Sequence, residues 1–174
     1  MKKTIFASLI VGLVGCIDAT VTVPEVCSTS SSAIPVPHVD PHVVGPVTIV
    51  TSTPLYISET FTNLTDVTDT FDVNMTRFTL DDNVDLSWIA SIDVSVKSEI
   101  DHLPDVSLAT YKRVDDSLVH SIALTPIMDA ETMQKYFMHP LTLTYTLKGI
   151  PPTSAYAITN TLCVSATTQI HKTL

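Results

Sequence analysis

The sequence predicts an all-β fold, namely an immunoglobulin-like or Greek-key β-sandwich of about seven or eight antiparallel strands with one short helix. From residue 47 onward the chain is dense in Val, Ile, Thr and aromatic residues, which favour strands. Apolar and polar residues alternate in several segments, as expected for a sheet with one face in water. Turns of Asp, Asn and Pro separate these segments. A barrel is the alternative architecture.

The predicted strands follow one another along the chain. They span residues 47–51, 55–62, 71–80, 89–97, 106–111, 118–124, 141–147 and 156–170. The alternation is clearest in residues 141–147, where apolar residues occupy one face and threonines the other. This segment is therefore expected to be half-buried.

The strand predicted at residues 71–80 contains a change of phase. Phe71, Val73 and Met75 belong to one alternating set, whereas Phe78 and Leu80 belong to the other. A β-bulge at about Arg77 would return both sets to the core.

One helix is predicted, at residues 130–138. Asp129 is a suitable N-cap and Pro140 ends the segment. Met133 and Phe137 are four residues apart and are expected to be buried together. A short helix between strands is expected to cover one end of the sandwich.

The first residues have the pattern of an export signal. Lys2 and Lys3 give a basic start, an apolar run covers residues 5–14, and small residues end it. The run holds about ten residues, too short for a helix that crosses a hydrocarbon core of about 30 Å.

The motif Leu13-Val14-Gly15-Cys16 resembles the lipobox of bacterial lipoproteins. The resemblance implies a diacylglycerol on the Cys16 thiol, cleavage after Gly15 and a further acyl chain such as palmitate on the new amine. Two or three acyl chains hold a protein on a bilayer. Ile17 rather than Asp follows the cysteine, which favours the outer membrane, with the domain facing the periplasm or the surface. An ordinary secretory signal with an incidental cysteine is the alternative.

The predicted domain organisation has three parts. Residues 1–15 are a signal peptide, residues 16–46 a lipid-anchored tether and residues 47–174 the β-sandwich. The tether is predicted because residues 17–46 are rich in Ser and Thr and carry prolines at positions 24, 35, 37, 41 and 46. A short edge strand at about residues 21–26 is the one exception considered. The whole resembles the β-rich lipoproteins of bacterial envelopes.

Charge and glycine content exclude several functions. Removal of residues 1–15 leaves seven basic and 18 acidic residues, a formal charge of −11. Such a surface repels phosphate backbones, so no nucleic-acid partner is expected. Only Gly45 and Gly149 remain outside the signal peptide, so glycine-rich nucleotide sites are excluded. We predict no nucleotide and no cofactor.

Cys27 and Cys163 are a candidate disulfide, because an exported chain folds in an oxidising compartment. Cys163 shares its strand parity with Thr159 and Thr161, so it is expected to face away from the main core. Two independent thiols are the alternative.

One acidic segment resembles the opening of a calcium loop. Asp81, Asn83 and Asp85 place oxygen ligands at alternate positions. Leu86 replaces the glycine and Ile92 replaces the final glutamate of an EF-hand, so that interpretation fails. The three residues remain weak candidates for a metal site, and a simple acidic turn is the alternative. His38, Asp40 and His42 are a weaker candidate within the predicted tether.

The predicted function is a non-catalytic structural or interaction role at the membrane, with a protein or glycan partner. The first alternative is a carbohydrate-binding module, with Trp88 as part of a sugar-stacking platform that includes Tyr111, Tyr145 and Tyr156. The second is a hydrolase, although no G-x-S-x-G elbow is present. We predict no catalytic residue and no enzymatic activity.

Overall fold

The computed structural model describes residues 16–29, 34–38, 40, 42, 45–55, 72–82, 85–99, 103–115, 117–152 and 155–173. These residues form an all-β sandwich of two antiparallel sheets with one short helix, the fold class that the sequence predicts. The strands are β1 (Cys16–Thr29), β2 (Ile34–Val36), β3 (Val47–Leu55), β4 (Asp72–Asp81), β5 (Ile89–Ser98), β6 (Val106–Lys112), β7 (Ser121–Ala123), β8 (Thr125–Pro126), β9 (Leu141–Gly149) and β10 (Tyr156–Thr173), and the helix is α1 (Ala130–Phe137).

The first sheet has the order β1-β10-β4-β7, with β2 also paired to β10. The second sheet has the order β3-β9-β5-β6-β8. The core lies between the two sheets, where β9 presents its apolar residues at every second position, as predicted. Phe78 of the first sheet meets Tyr145 of the second edge to face, with ring centroids 6.2 Å apart. Contacts of this kind hold the two layers together.

The predicted bulge in β4 is confirmed. The register between β10 and β4 shifts between Cys163 and Val164, so that Thr76 is the extra residue. Val73 and Phe78, on either side of the shift, are both buried in the core. The bulge therefore returns the two out-of-phase apolar sets to one face.

The predicted helix and its cap are also confirmed. The Asp129 carboxylate accepts a hydrogen bond from the Thr132 amide at 2.8 Å. This bond and a second one from the Thr132 hydroxyl hold the pKa of Asp129 below its usual value. Met133 and Phe137 are buried. The helix packs against β4 and β5, one strand from each sheet, and so covers the gap between the layers.

The segment before residue 47 differs from the prediction. Strand β1 pairs with β10 along its length, and Ile34 and Val36 of β2 are buried in the core. These residues belong to the sandwich and not to the tether predicted over residues 16–46. The prolines are accommodated because both strands are edges: Pro24 lies where the β1 register shifts, and Pro35 is exposed on β2.

Smaller differences concern strand bounds. Strand β3 ends at Leu55, and residues 56–62 of the next predicted strand lie outside the described part of the chain. The strand predicted at residues 118–124 is shorter, as β7, and the two-residue strand β8 follows it. Short pairings of this kind have no periodic signal in the sequence.

Asn160 of β10 is an unusual core residue. It lies fully buried between the inward-facing Ile158 and Leu162, and neither Oδ1 nor Nδ2 has a hydrogen-bond partner among the described residues. Burial of an amide without partners costs free energy.

We expect Asn160→Leu to raise the free energy of unfolding by about 1–3 kcal/mol, because the substitution removes this cost and adds apolar contacts. Urea denaturation with an unchanged m-value measures the gain. Asn160→Asp is the matched control and is expected to destabilise, because it places a carboxyl group in the same apolar site. Lower stability of the Asn160→Leu protein would show that the native amide is satisfied.

Candidate functional site

The sandwich has two ends with different character. The segments 37–46, 82–88, 113–120 and 150–155 all connect strands at one end, which we call the loop end. Cys16 lies at the other end, where it opens β1 opposite Thr173 of β10. The residue predicted to carry lipid and the loop end are thus at opposite ends of the fold.

Among the described residues, β1 and β10 form a two-stranded ribbon at the Cys16 end of the fold. The last pair of β10 and β4 among the described residues is Thr167 opposite Asp72. Beyond that point, residues 168–173 pair with residues 16–21 of β1 alone among the described residues. Six residue pairs correspond to about 20 Å. A β-ribbon therefore occupies the place of the start of the predicted tether.

Two segments of the loop end are joined by hydrogen bonds. The Asp85 carboxylate accepts from the amides of Ser87 at 2.9 Å and Val119 at 3.1 Å. The Leu86 amide donates to the Val119 carbonyl at 2.6 Å, and Arg113 donates to the Ser87 carbonyl. The Ser87 hydroxyl is the largest influence that lowers the pKa of Asp85 below its usual value. These hydrogen bonds therefore join described residues of the segments 82–88 and 113–120 into one unit.

The segment after β9 is joined to this unit at Trp88. The Ile150 amide donates to the Trp88 carbonyl at 3.1 Å. A Cβ atom added to Gly149 would lie 1.9 Å from the same carbonyl oxygen. The close approach of the two backbones therefore requires glycine at position 149.

Large apolar side chains are exposed on this ordered framework. Val114, Leu118 and Ile150 expose 96%, 76% and 64% of their surface. Trp88, in another segment of the loop end, is half-buried and packs against the core. A contiguous exposed apolar patch marks a site of partner contact, and these three residues are the candidates for such a patch at the loop end.

The aromatic platform predicted around Trp88 does not form as proposed. Tyr145 is fully buried in the core, where burial raises the pKa of its hydroxyl. Tyr111 is half-buried on β6, and the Tyr156 side chain lies outside the described part. A buried Tyr145 has no face available for a sugar ring.

The weak metal candidates have partners within the protein. Asp81 accepts a hydrogen bond from the Thr79 hydroxyl at 2.8 Å, and Asp85 binds the amides described above. Asn83 lies outside the described residues. In the other candidate, Asp40 accepts from the His42 amide at 2.9 Å, and both residues are exposed.

The two candidate disulfide residues are bonded to each other. Cys27 of β1 lies directly opposite Cys163 of β10, and their sulfur atoms are 2.11 Å apart. Cys27 is exposed, whereas Cys163 is fully buried. Cys163 alternates along β10 with the core residues Leu162 and Val164, so the bridge lies on the outer face of the first sheet although Cys163 itself is covered.

Arg77 lies over this disulfide. Its Nε donates to Cys163 Sγ at 3.4 Å, and its Nη2 donates to Cys163 Sγ at 3.3 Å and to Cys27 Sγ at 3.5 Å. The Glu25 carboxylate lies within 4.8 Å of both sulfurs and accepts from the Thr76 hydroxyl at 2.5 Å. We call Glu25, Cys27, Thr76, Arg77 and Cys163 the disulfide cluster.

Sequence reasoning found the two cysteines but not the rest of this cluster. It assigned Arg77 only to the bulge, because the position of its side chain depends on the register between β4 and β10. That register places Arg77 directly opposite Cys163. A basic residue near the phase change was the available signal.

No helix among the described residues is long and apolar enough to cross a membrane. Comparison of the chain with protein-family models, with curated proteins and with solved structures finds no match in any of the three.

Proposed function

We propose that this chain is a lipid-anchored protein of the bacterial cell envelope, with a non-catalytic role in which the loop end contacts a protein partner. The observation that carries the proposal is the placement of Cys16 and the exposed apolar residues at opposite ends of one fold. The lipobox at residues 13–16 and the disulfide between Cys27 and Cys163 both fit an exported chain.

The placement has a simple mechanical consequence. Acyl chains on Cys16 hold that end at the bilayer surface. Strand β10 has 18 residues and runs from the loop end to the residue opposite Cys16. A strand of this length spans about 50–60 Å. The loop end would therefore stand clear of the headgroups, where a partner has access to it.

The chemistry of the loop end favours a protein over a glycan. Val114, Leu118 and Ile150 offer apolar surface, which a protein partner can bury. Sugar recognition relies on an open aromatic face, whereas Trp88 packs against the core. The outer membrane is the proposed location, because Ile17 rather than Asp follows the lipidated cysteine.

Fractionation and native purification of three expressed chains test the proposal. We expect the wild-type protein in the membrane fraction, with a mature N-terminus that carries lipid on Cys16 by mass spectrometry. Cys16→Ser is expected to move the protein to a soluble fraction. Leu118→Asp is expected to leave it in the membrane but to reduce recovery of its cross-linked protein partner by about tenfold, because a charge at an apolar contact opposes burial.

Ile127→Asp is the matched control for the loop end. Ile127 is 54% exposed but lies beyond β8, outside the loop end. This variant should keep its cross-linked partner. An unmodified residue 16 in the mature protein would refute the lipid anchor, and equal loss of partner in the Leu118 and Ile127 variants would refute the role of the loop end.

A further inference from the structure

We propose that the Cys27–Cys163 disulfide is a thiol-exchange site, in which an external thiol attacks Cys27 and Arg77 stabilises Cys163 as the departing thiolate. The ligand class is a low-molecular-weight or protein thiol. The proposal depends on neither the lipid on Cys16 nor the partner of the loop end.

The two sulfurs of the bridge are unequally accessible from solvent. Cys27 is exposed on the edge strand β1, whereas Cys163 is fully buried on β10, which lies between β1 and β4. Thiol exchange requires a thiolate to approach a sulfur of the bridge from solvent. The exposed Cys27 sulfur is the one within reach.

The two sulfurs are also unequally stabilised by Arg77. Cys163 Sγ receives hydrogen bonds from both Nε and Nη2 of Arg77, whereas Cys27 Sγ receives one longer bond from Nη2. A guanidinium beside a sulfur lowers the pKa of the thiol and favours the thiolate. A thiol with a lower pKa is also a better leaving group in exchange. Arg77 therefore favours Cys163 as the leaving sulfur, in agreement with the difference in access.

The exchange step forms one bond between sulfur atoms and breaks another. The thiolate sulfur of the external thiol forms a bond to Cys27 Sγ, and the bond between Cys27 Sγ and Cys163 Sγ breaks. The electron pair of that bond remains on Cys163 as a thiolate next to the Arg77 guanidinium. The product is a mixed disulfide at Cys27. Attack by Cys163 on Cys27 reverses the step and releases the external thiol.

Glu25 adds a preference among thiols. Its carboxylate lies within 4.8 Å of both sulfurs, and the chain carries a net charge of −9. A thiol with a negative charge is repelled by this group at short range. Neutral or cationic thiols are therefore the preferred reactants. Glu25→Gln is expected to accelerate exchange with 2-mercaptoethanesulfonate more than exchange with 2-mercaptoethanol.

Peptide mass spectrometry after partial reaction tests the assignment. The protein is treated with 2-mercaptoethanol and quenched with iodoacetamide. We expect the mixed disulfide on Cys27 and the carbamidomethyl group on Cys163. Equal amounts of mixed disulfide on the two cysteines, or a mixed disulfide on Cys163, would overturn the proposal.

The role of Arg77 as a positioning residue is tested by the rate of the same reaction. Arg77→Gln is expected to slow exchange by about tenfold, and Arg77→Lys to restore part of the rate, because a positive charge returns. Lys97→Gln is the control, since it removes one positive charge from an exposed position on the second sheet. Urea denaturation of each oxidised variant checks that folding is unchanged. Equal rates in the Arg77→Gln and Lys97→Gln proteins would overturn the assignment.

Discussion

Removal of the disulfide by Cys27→Ala with Cys163→Ala is expected to lower the free energy of unfolding by up to about 5 kcal/mol on the chain-entropy account of cross-links. The bridge joins residues 136 positions apart, so it restricts most of the unfolded chain. Loop-closure entropy grows with the length of the closed loop, which places this bridge at the upper end of the range.

The native state gives a second reason for a large effect. Strand β1 is an edge, paired with β10 alone in the described part of the chain, and its register is interrupted between Val23 and Val26. Val21 and Val23 are only partly buried. Without the bridge, local opening of β1 is opposed mainly by its backbone hydrogen bonds, and the strand becomes the least stable part of the sheet.

Urea denaturation measures the global loss, and hydrogen exchange of the β1 amides measures the local one. Both measurements are best made in the Cys16→Ser background, which leaves Cys27 and Cys163 as the only cysteines. The parent protein in excess dithiothreitol is the matched control and should show the same loss. An unfolding midpoint unchanged by the double substitution would contradict the expected role of the bridge.

The predictable part of this fold is the part with strict alternation. Strand β9 and the long strand β10 keep one parity over many residues, so their first residues and their buried faces follow from the sequence, whereas they end two and three residues beyond the predicted ends. The bulge in β4 was predictable for the same reason, because a bulge is the simplest way to bury two sets that are out of phase. A clear alternation of apolar and polar residues predicts both where a strand lies in the chain and which of its faces is buried.

Only a short edge strand at about residues 21–26 was considered within β1, and β2 was not predicted, because the prolines favoured a tether over a strand. Proline lacks the amide that a central strand donates to its neighbours, but an edge strand has a free side on which no donor is required. Pro24 and Pro35 occupy such edges. Whether a segment is an edge depends on sheet order, which local composition does not contain.

The two candidate sites were predictable to different degrees. The alternation along the strand predicted that Cys163 faces away from the core, and this orientation favoured a disulfide. The hydrogen bonds of Arg77 depend on the register between β4 and β10. Val114, Leu118 and Ile150 lie in irregular segments without a period, and only the tertiary structure shows that they share one end of the sandwich.

Gly149→Ala is expected to lower the free energy of unfolding by about 4 kcal/mol, as the sum of a steric term and a lost hydrogen bond. The added Cβ would lie 1.9 Å from the Trp88 oxygen and 2.9 Å from the Trp88 carbonyl carbon. Both are backbone atoms, so no side-chain rotation relieves the clash. Gly149 also pairs with Val47 on one side and Ile89 on the other, which prevents β9 from shifting.

The same substitution is expected to change the loop end and not only the stability. Displacement of Trp88 breaks the hydrogen bond from the Ile150 amide and moves the indole away from the core. Trp88 is the one tryptophan in the chain, so a red shift of native-state fluorescence reports this movement directly.

Lys148→Ala is the control, because it alters an exposed neighbour whose contact with Asp93 is a surface ion pair of 3.9 Å. It should cost less than about 1 kcal/mol. A Gly149→Ala protein with the stability and fluorescence of this control would contradict the expectation. It would show that the contact between the backbones at Gly149 and Trp88 is not what orders the loop end.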